Sequence, residues 1–261
     1  MPLLMVTGHQ RSGTTILRIL LNSHPEIAVT NELANFKYIH RSRLLYTVYL
    51  LRRLLACRER GPAYMLHRNE ETSWRENARF LAAYLIRVQT VRSGRIGFDG
   101  AEAALRALLS GSRWVGDKFP DYIWNLRFFA GSGKVRCIVI YRDARDVAHS
   151  VLESVRTQWK GRRFARRFNT PQKIAARWMN AVRLMTECSA TIHAVRYERL
   201  IAEPEAVAGE LGRALDVDPA HFPIHLLRDT SVGRHRGRLG GSDLAAVESI
   251  AGETLARLGY R

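Results

Sequence analysis

Eight residues near the start of the chain carry the clearest chemical signal. Gly8-His9-Gln10-Arg11-Ser12-Gly13-Thr14-Thr15 lies between an apolar run, Pro2 to Val6, and a stretch of helical periodicity, Thr14 to Asn22. A glycine-flanked turn from a strand into a helix aims several backbone N–H groups at one point, where the helix dipole also favours negative charge. The spacing is that of a nucleotide phosphate loop, yet Thr14 stands where a nucleoside triphosphatase requires lysine. The basic residue comes earlier, at Arg11, where it can lie beside a single 5′-phosphate. The plain structural alternative is a tight turn capped by threonine.

A second anion site is readable in Tyr141-Arg142-Asp143-Ala144-Arg145-Asp146-Val147-Ala148-His149-Ser150. Arg142 ends an apolar run and Ser150 lies on the helical stretch after it. A guanidinium and a hydroxyl so placed can grip one phosphate together, the arginine through two parallel bonds. Alternatively, Arg142-Asp143 and Arg145-Asp146 are solvated ion pairs of small energetic value. Two further groups stand at predicted strand ends. Glu32, in Thr30-Asn31-Glu32-Leu33, is placed where a general base could face the phosphate loop. Lys118, in Val115-Gly116-Asp117-Lys118-Phe119-Pro120, is one of five lysines in the chain and offers a compact point charge. The alternatives are an exposed loop glutamate and a local Lys118–Asp117 ion pair.

These motifs, in this order, resemble the sulfotransferases that use 3′-phosphoadenosine 5′-phosphosulfate (PAPS). The stretch Arg11 to Pro25, RSGTTILRILLNSHP, is especially similar to the tyrosylprotein sulfotransferases and their bacterial relatives. The resemblance implies that Arg11, Ser12, Gly13, Thr14 and Thr15 bind the 5′-phosphosulfate, and that Arg142 and Ser150 bind the 3′-phosphate. It implies a nucleotide contact for Tyr197, in Arg196-Tyr197-Glu198-Arg199-Leu200, and a loop closing over the nucleotide at Ser231 to Gly237, with Ser231 and Arg234 as its ligands. By the same resemblance Glu32 is the base and Lys118 bridges sulfate and leaving phosphate, while other family branches use a histidine elsewhere, which keeps His40 and His67 as rivals. The implied reaction is in-line transfer of a sulfuryl group to an acceptor hydroxyl, catalysed by Glu32, Lys118 and Arg11 without a metal. Trp178 reads as a core residue rather than an adenine stacker.

The elements that must position these groups follow from pattern. Strands are expected at Pro2–Val6, Ile27–Val29, Trp114–Gly116, Val135–Tyr141 and Thr191–Tyr197. Helices are expected at 14–22, Arg43–Cys57, Ser73–Val91, Gly100–Leu109, Tyr122–Ala130, Ala144–Arg156, Pro171–Cys188 and Glu203–Leu215. The run Val135-Arg136-Cys137-Ile138-Val139-Ile140 is nearly all apolar, as central parallel strands are. The expected fold class is therefore α/β: a P-loop-like parallel sheet flanked by helices on both faces, in one domain over 1–261. A helical acceptor-side insertion is expected at about 36–110, and an ordered glycine- and arginine-rich loop over a ligand at Asp229–Gly240.

Composition narrows the partners. The 261 residues are 46% hydrophobic and 25% charged, with a formal net charge of +17 that is overwhelmingly arginine. Such charge suits a phosphate-rich ligand, an anionic surface or an acidic or amphiphilic acceptor, and peripheral membrane contact through Arg41–Arg60 is consistent with it. No specific nucleic-acid motif is present. The three cysteines, Cys57, Cys137 and Cys188, form neither a metal-ligand pair nor a disulfide framework. With no signal sequence and no apolar run long enough to span a bilayer, a cytoplasmic protein is expected. Peptide tyrosine, carbohydrate, lipid and small-molecule acceptors all fit. Two other classes compete: a P-loop small-molecule kinase, disfavoured by the missing loop lysine, and a non-catalytic polyanion- or membrane-surface-binding protein, which leaves the motif order unexplained.

Overall fold

The computed structural model describes residues 2–33, 42–60, 73–89, 97–227 and 231–260. His40, His67 and the expected loop positions 229–230 lie outside the described residues. The chain opens with β1 (Leu3–Gly8), α1 (Thr14–Asn22) and β2 (Ile27–Asn31). Three helices follow, α2 (Arg43–Arg60), α3 (Trp74–Gln89) and α4 (Phe98–Leu108), before β3 (Trp114–Lys118). A 3₁₀ turn (Pro120–Asn125) leads into α5 (Leu126–Gly131), β4 (Val135–Tyr141), α6 (Ala144–Arg156) and α7 (Pro171–Glu187). The chain finishes with β5 (Ile192–Arg196), α8 (Tyr197–Ala202), α9 (Pro204–Leu215) and α10 (Gly241–Arg257).

The five strands form one parallel sheet in the order β2-β3-β1-β4-β5. Side chains alternate across a strand, so β1 divides its apolar residues between two cores. Leu3 and Met5 join the larger one, with residues of α2 to α7 and α10, whereas Leu4 and Val6 join the smaller, with α1, α8 and α9. All four are fully buried, each contributing about 1.5–3 kcal/mol to folding. Covering both faces is what allows the sequence to be apolar at consecutive positions. At Gly116 a Cβ would lie 1.8 Å from the Leu4 carbonyl oxygen, so only glycine lets β3 approach β1. The edge strand β2 is capped by Asn22, whose amide donates to the Val29 carbonyl (2.9 Å) and accepts from the Val29 N–H (2.6 Å).

The structure departs from the sequence expectations at three places. The single helix expected at Tyr122–Ala130 is a 3₁₀ turn followed by α5, because Pro120 opens it and the short stretch begins tightly wound. Tyr197, expected at a strand end, opens the short helix α8. A C-terminal helix that the pattern did not signal, α10, packs on α7 and α6. Trp178 is in the core, and its indole N–H donates to the Arg142 carbonyl at 2.8 Å, fixing the end of β4.

Candidate active site

β1 lies between β3 and β4, while the chain leaves it toward β2, so the sheet changes its winding direction at β1. A crevice opens outside the carboxyl ends of strands at such a point. Here it is a cleft of about 350 Å³. Each of the five strands delivers a lining residue just at or past its end: Arg11 after β1, Glu32 after β2, Lys118 from β3, Arg142 after β4 and Tyr197 after β5.

The loop after β1 is built to turn toward this space. Arg11 and Gly13 adopt positive φ (68° and 98°), and the Ser12 N–H closes the turn on the His9 carbonyl at 3.1 Å. Gly13 is the N-cap of α1, with no side chain to occupy the first N–H groups of the helix and no acidic residue in its first turn. Thr14 and Thr15 line the cleft above it. Those leading N–H groups have no carbonyl within their own helix to meet, which leaves an anion-ready helix terminus. Ser12 differs from its neighbours. It is fully buried, it lines a small apolar pocket with Val139, Ile140 and Trp178 instead of the cleft, and its hydroxyl has no hydrogen-bond partner among the described residues.

The second anion motif meets the first. Arg11 Nε donates to Ser150 Oγ at 2.8 Å across 139 positions of sequence, and Arg142 Nη1 reaches the Arg11 carbonyl at 3.4 Å. The Arg142 guanidinium lies 4.6 Å from the centroid of the Tyr197 ring. A Cβ on Gly13 would in turn meet that ring at 2.5 Å, so the glycine lets Tyr197 pack beneath the loop. Burial, and next the nearby charge of Arg142, push the Arg11 guanidinium below its ordinary value. Two cations held this close in a partly desolvated cleft favour anions. Arg142 Nε is buried without a partner among the described residues, an orphaned donor that fits a bound phosphate oxygen.

On the opposite wall, Lys118 Nζ donates to Glu32 Oε1 at 3.0 Å. The alternative reading, a local pair between Lys118 and Asp117, is not what forms, since neighbours on a strand face opposite sides. Asp117 instead lies under β2, accepting from the Thr30 hydroxyl (2.6 Å), the Leu33 N–H (2.9 Å) and the Tyr122 hydroxyl. These bonds hold the backbone on both sides of Glu32, which itself has a φ of 57°. The Glu32 N–H donates to the Lys118 carbonyl at 2.8 Å, so backbone and side chain are each tied to Lys118. The residues expected to act as base and cation thus face one another across a single hydrogen bond.

From the C-terminal segment, Ser231 and Arg234 line the same cleft, and Arg142 Nη2 donates to the Ser231 carbonyl. Sequence reasoning missed Gln10, Asp146, His149, Glu153 and Trp159, which also line it. Four of these belong to α6 or follow it directly. The spacing 146, 149, 150, 153 is one face of α6 and was the available signal. Among the described residues, no group of three or more His, Cys, Asp or Glu is gathered as if for a metal ion.

A sequence model described as "Sulfotransferase family" matches residues 2–221. The chain belongs to the sulfotransferase family. Its members are transferases, and this sulfotransferase shares its fold with solved bacterial ones. It superposes on the sulfotransferase domain of the Synechococcus PCC 7002 olefin synthase with a TM-score of 0.59 at 16% identity, covering 96% of this chain and 94% of that one. The sulfotransferase domain from the curacin biosynthetic pathway gives 0.55 at 14% identity, with coverage of 100% and 98%. Sulfotransferase STF9 of Mycobacterium avium gives 0.55 at 14% identity, covering 98% of this chain and 76% of that one. No curated protein matches the sequence at a significant level. Among the described residues of this sulfotransferase, no helix is long and apolar enough to cross a membrane.

Proposed function

We propose that this sulfotransferase takes its sulfuryl group from PAPS and transfers it to an acceptor hydroxyl, with Glu32 as general base. The observation that carries this reading is the convergence of two anion-binding motifs on one cleft, joined by the Arg11–Ser150 hydrogen bond of 2.8 Å. One end of a nucleotide with two anionic ends would rest on Arg11, the leading N–H groups of α1 and the hydroxyls of Thr14 and Thr15. The other end would rest on Arg142, whose Nε is an unmet buried donor, and Ser150, with Tyr197, Ser231 and Arg234 around it. When bound, PAPS supplies the sulfuryl group for an in-line displacement.

The residues of the chain supply the rest. Glu32 takes the proton of the acceptor hydroxyl. Lys118, 3% exposed and fixed by Glu32, sets a cation where negative charge builds on the leaving oxygen. A singly charged sulfuryl group is served by such fixed donors without a metal. The acceptor enters from the side of α2 to α4, in a single catalytic domain working in the cytoplasm. It is acidic or amphiphilic: Leu44, Leu45, Val48, Leu51 and Leu55 stand exposed along α2, in a sequence whose ionised residues are five arginines and one glutamate.

Calorimetry with 3′-phosphoadenosine 5′-phosphate (PAP) and with ATP–magnesium tests the donor assignment. Binding of PAP at least tenfold tighter than ATP–magnesium is expected. The reverse preference would overturn the assignment in favour of phosphoryl chemistry.

A further inference from the structure

Asp146 lies in the first turn of α6, four residues beyond Arg142, and its side chain is 1% exposed. Both of its oxygens are used twice. Oδ2 accepts from the Gly233 N–H at 2.8 Å and faces Arg142 Nη2 at 3.1 Å. Oδ1 accepts from the His235 N–H at 2.9 Å and sits 2.8 Å from His235 Nδ1. Burial alone would raise this carboxyl, but the His235 donors, Arg142 and the Gly233 N–H outweigh it and hold it below the usual carboxylate range.

Two things are therefore tied together by one group. Among the described residues, the hydrogen bonds joining 231–239 to the α/β fold all end on Arg142 or Asp146. That segment carries Ser231 and Arg234 into the cleft. The same carboxylate also takes one edge of the Arg142 guanidinium. A planar guanidinium aims its Nε–H at a phosphate in a fixed direction when its plane is set beforehand. Tyr197 beneath the plane and Asp146 beside Nη2 fix it, and they leave Nε without a partner among the described residues.

We infer that Asp146 is a positioning residue for recognition of the 3′-phosphate: it sets the plane of Arg142 and seats the 231–239 segment against it in one act. The inference rests on the PAPS reading above, and it concerns discrimination between nucleotides that carry a 3′-phosphate and those that do not. His235 shares the role through its ring contact with Asp146.

The test is calorimetric binding of PAP and of adenosine 5′-phosphate, which lacks the 3′-phosphate, to the wild type and to Asp146→Asn. The wild type should prefer PAP. Asp146→Asn turns an amide N–H₂ toward the guanidinium or the loop donors, and should weaken PAP by about 10- to 100-fold, as expected for a lost bond between charged partners. Its affinity for adenosine 5′-phosphate should stay within about threefold. Unchanged discrimination in Asp146→Asn overturns the positioning role, as does an equal loss for both nucleotides, which is what a merely structural residue would give. A wild type that does not distinguish the two nucleotides sinks the PAPS reading itself. If Asp146→Asn does not fold, His235→Gln keeps the question open to measurement: a smaller loss confined to PAP supports the role, and unaltered discrimination refutes it.

Discussion

Replacing Lys118 by methionine separates the catalytic from the structural worth of one side chain. The change keeps the length and apolar stem while removing the ammonium, whose one side-chain hydrogen bond among the described residues is the 3.0 Å contact to Glu32. A fully buried ion pair broken on one side costs about 3–5 kcal/mol. Glu32, however, keeps 26% of its side chain accessible and can rehydrate, so a stability loss of only about 1–2 kcal/mol is expected. The transfer step should suffer more. A donor aimed at charge developing in the transition state is worth about 10²–10³ in turnover, or about 2.7–4 kcal/mol. Denaturant unfolding reads the first quantity, and transfer rates at saturating PAPS, with any hydroxyl acceptor that supports turnover, read the second. PAP binding confirms that the nucleotide site survives. Lys118→Arg should not rescue, because a planar guanidinium cannot occupy the place of a compact ammonium. Glu32→Gln, nearly isosteric, should also bind PAP and lose about 10²–10⁴ in rate as a missing base. Turnover within threefold of wild type in Lys118→Met, alongside the predicted stability loss, would refute the catalytic role and leave only the structural one.

Two further outcomes follow from the loop after β1. Gly13→Ala places a methyl 2.5 Å from the Tyr197 ring at a φ of 98°, so thermal unfolding should show a loss of about 1–3 kcal/mol and PAP binding should weaken with it. A variant as stable as wild type would mean that Tyr197 moves freely. His9 is held at about 4 chiefly by burial and also by the charge of Arg177, against the raising effect of the Gln10 carbonyl. Its folded value lies below the unfolded one, so the unfolded chain binds the extra proton and stability falls as pH drops from about 6.5 toward 4. Between pH 7 and 5 this group should remove about 2 kcal/mol, and His9→Gln should flatten that part of the profile in urea titrations.

Much of the scaffold is legible because its signals are local. The apolar runs of β1 and β4 and the periodicity of α6 and α7 need no knowledge of distant residues, and a glycine turn between strand and helix is equally local. Elements failed where local signals were weak. α8 is six residues long, and its start coincides with the end of β5, so Tyr197 read as strand. α10 buries Val247, Ala251, Thr254 and Leu255, a stripe too small and too polar to stand out. Candidate residues were read from their own motifs, but their partners were not. Lys118 turns out to face Glu32, 86 positions away, and Asp146 to hold His235, 89 positions away. Ser12 shows a different limit: its place in the motif says nothing about which way the hydroxyl points, and in the fold it is buried between two residues of positive φ.

The cations of the cleft are not idle before a ligand arrives. Lys118 holds a carboxylate, Arg142 a carboxylate and two carbonyls, and Arg11 a serine hydroxyl. A small ion such as chloride or free sulfate must compete with these resident contacts one at a time, and gains little by it. A molecule with two separated anionic ends competes at both places for a single loss of translational freedom. Self-neutralisation thus lowers the pull of these three side chains on single small ions, and gives the advantage to ligands that meet more than one of them at once.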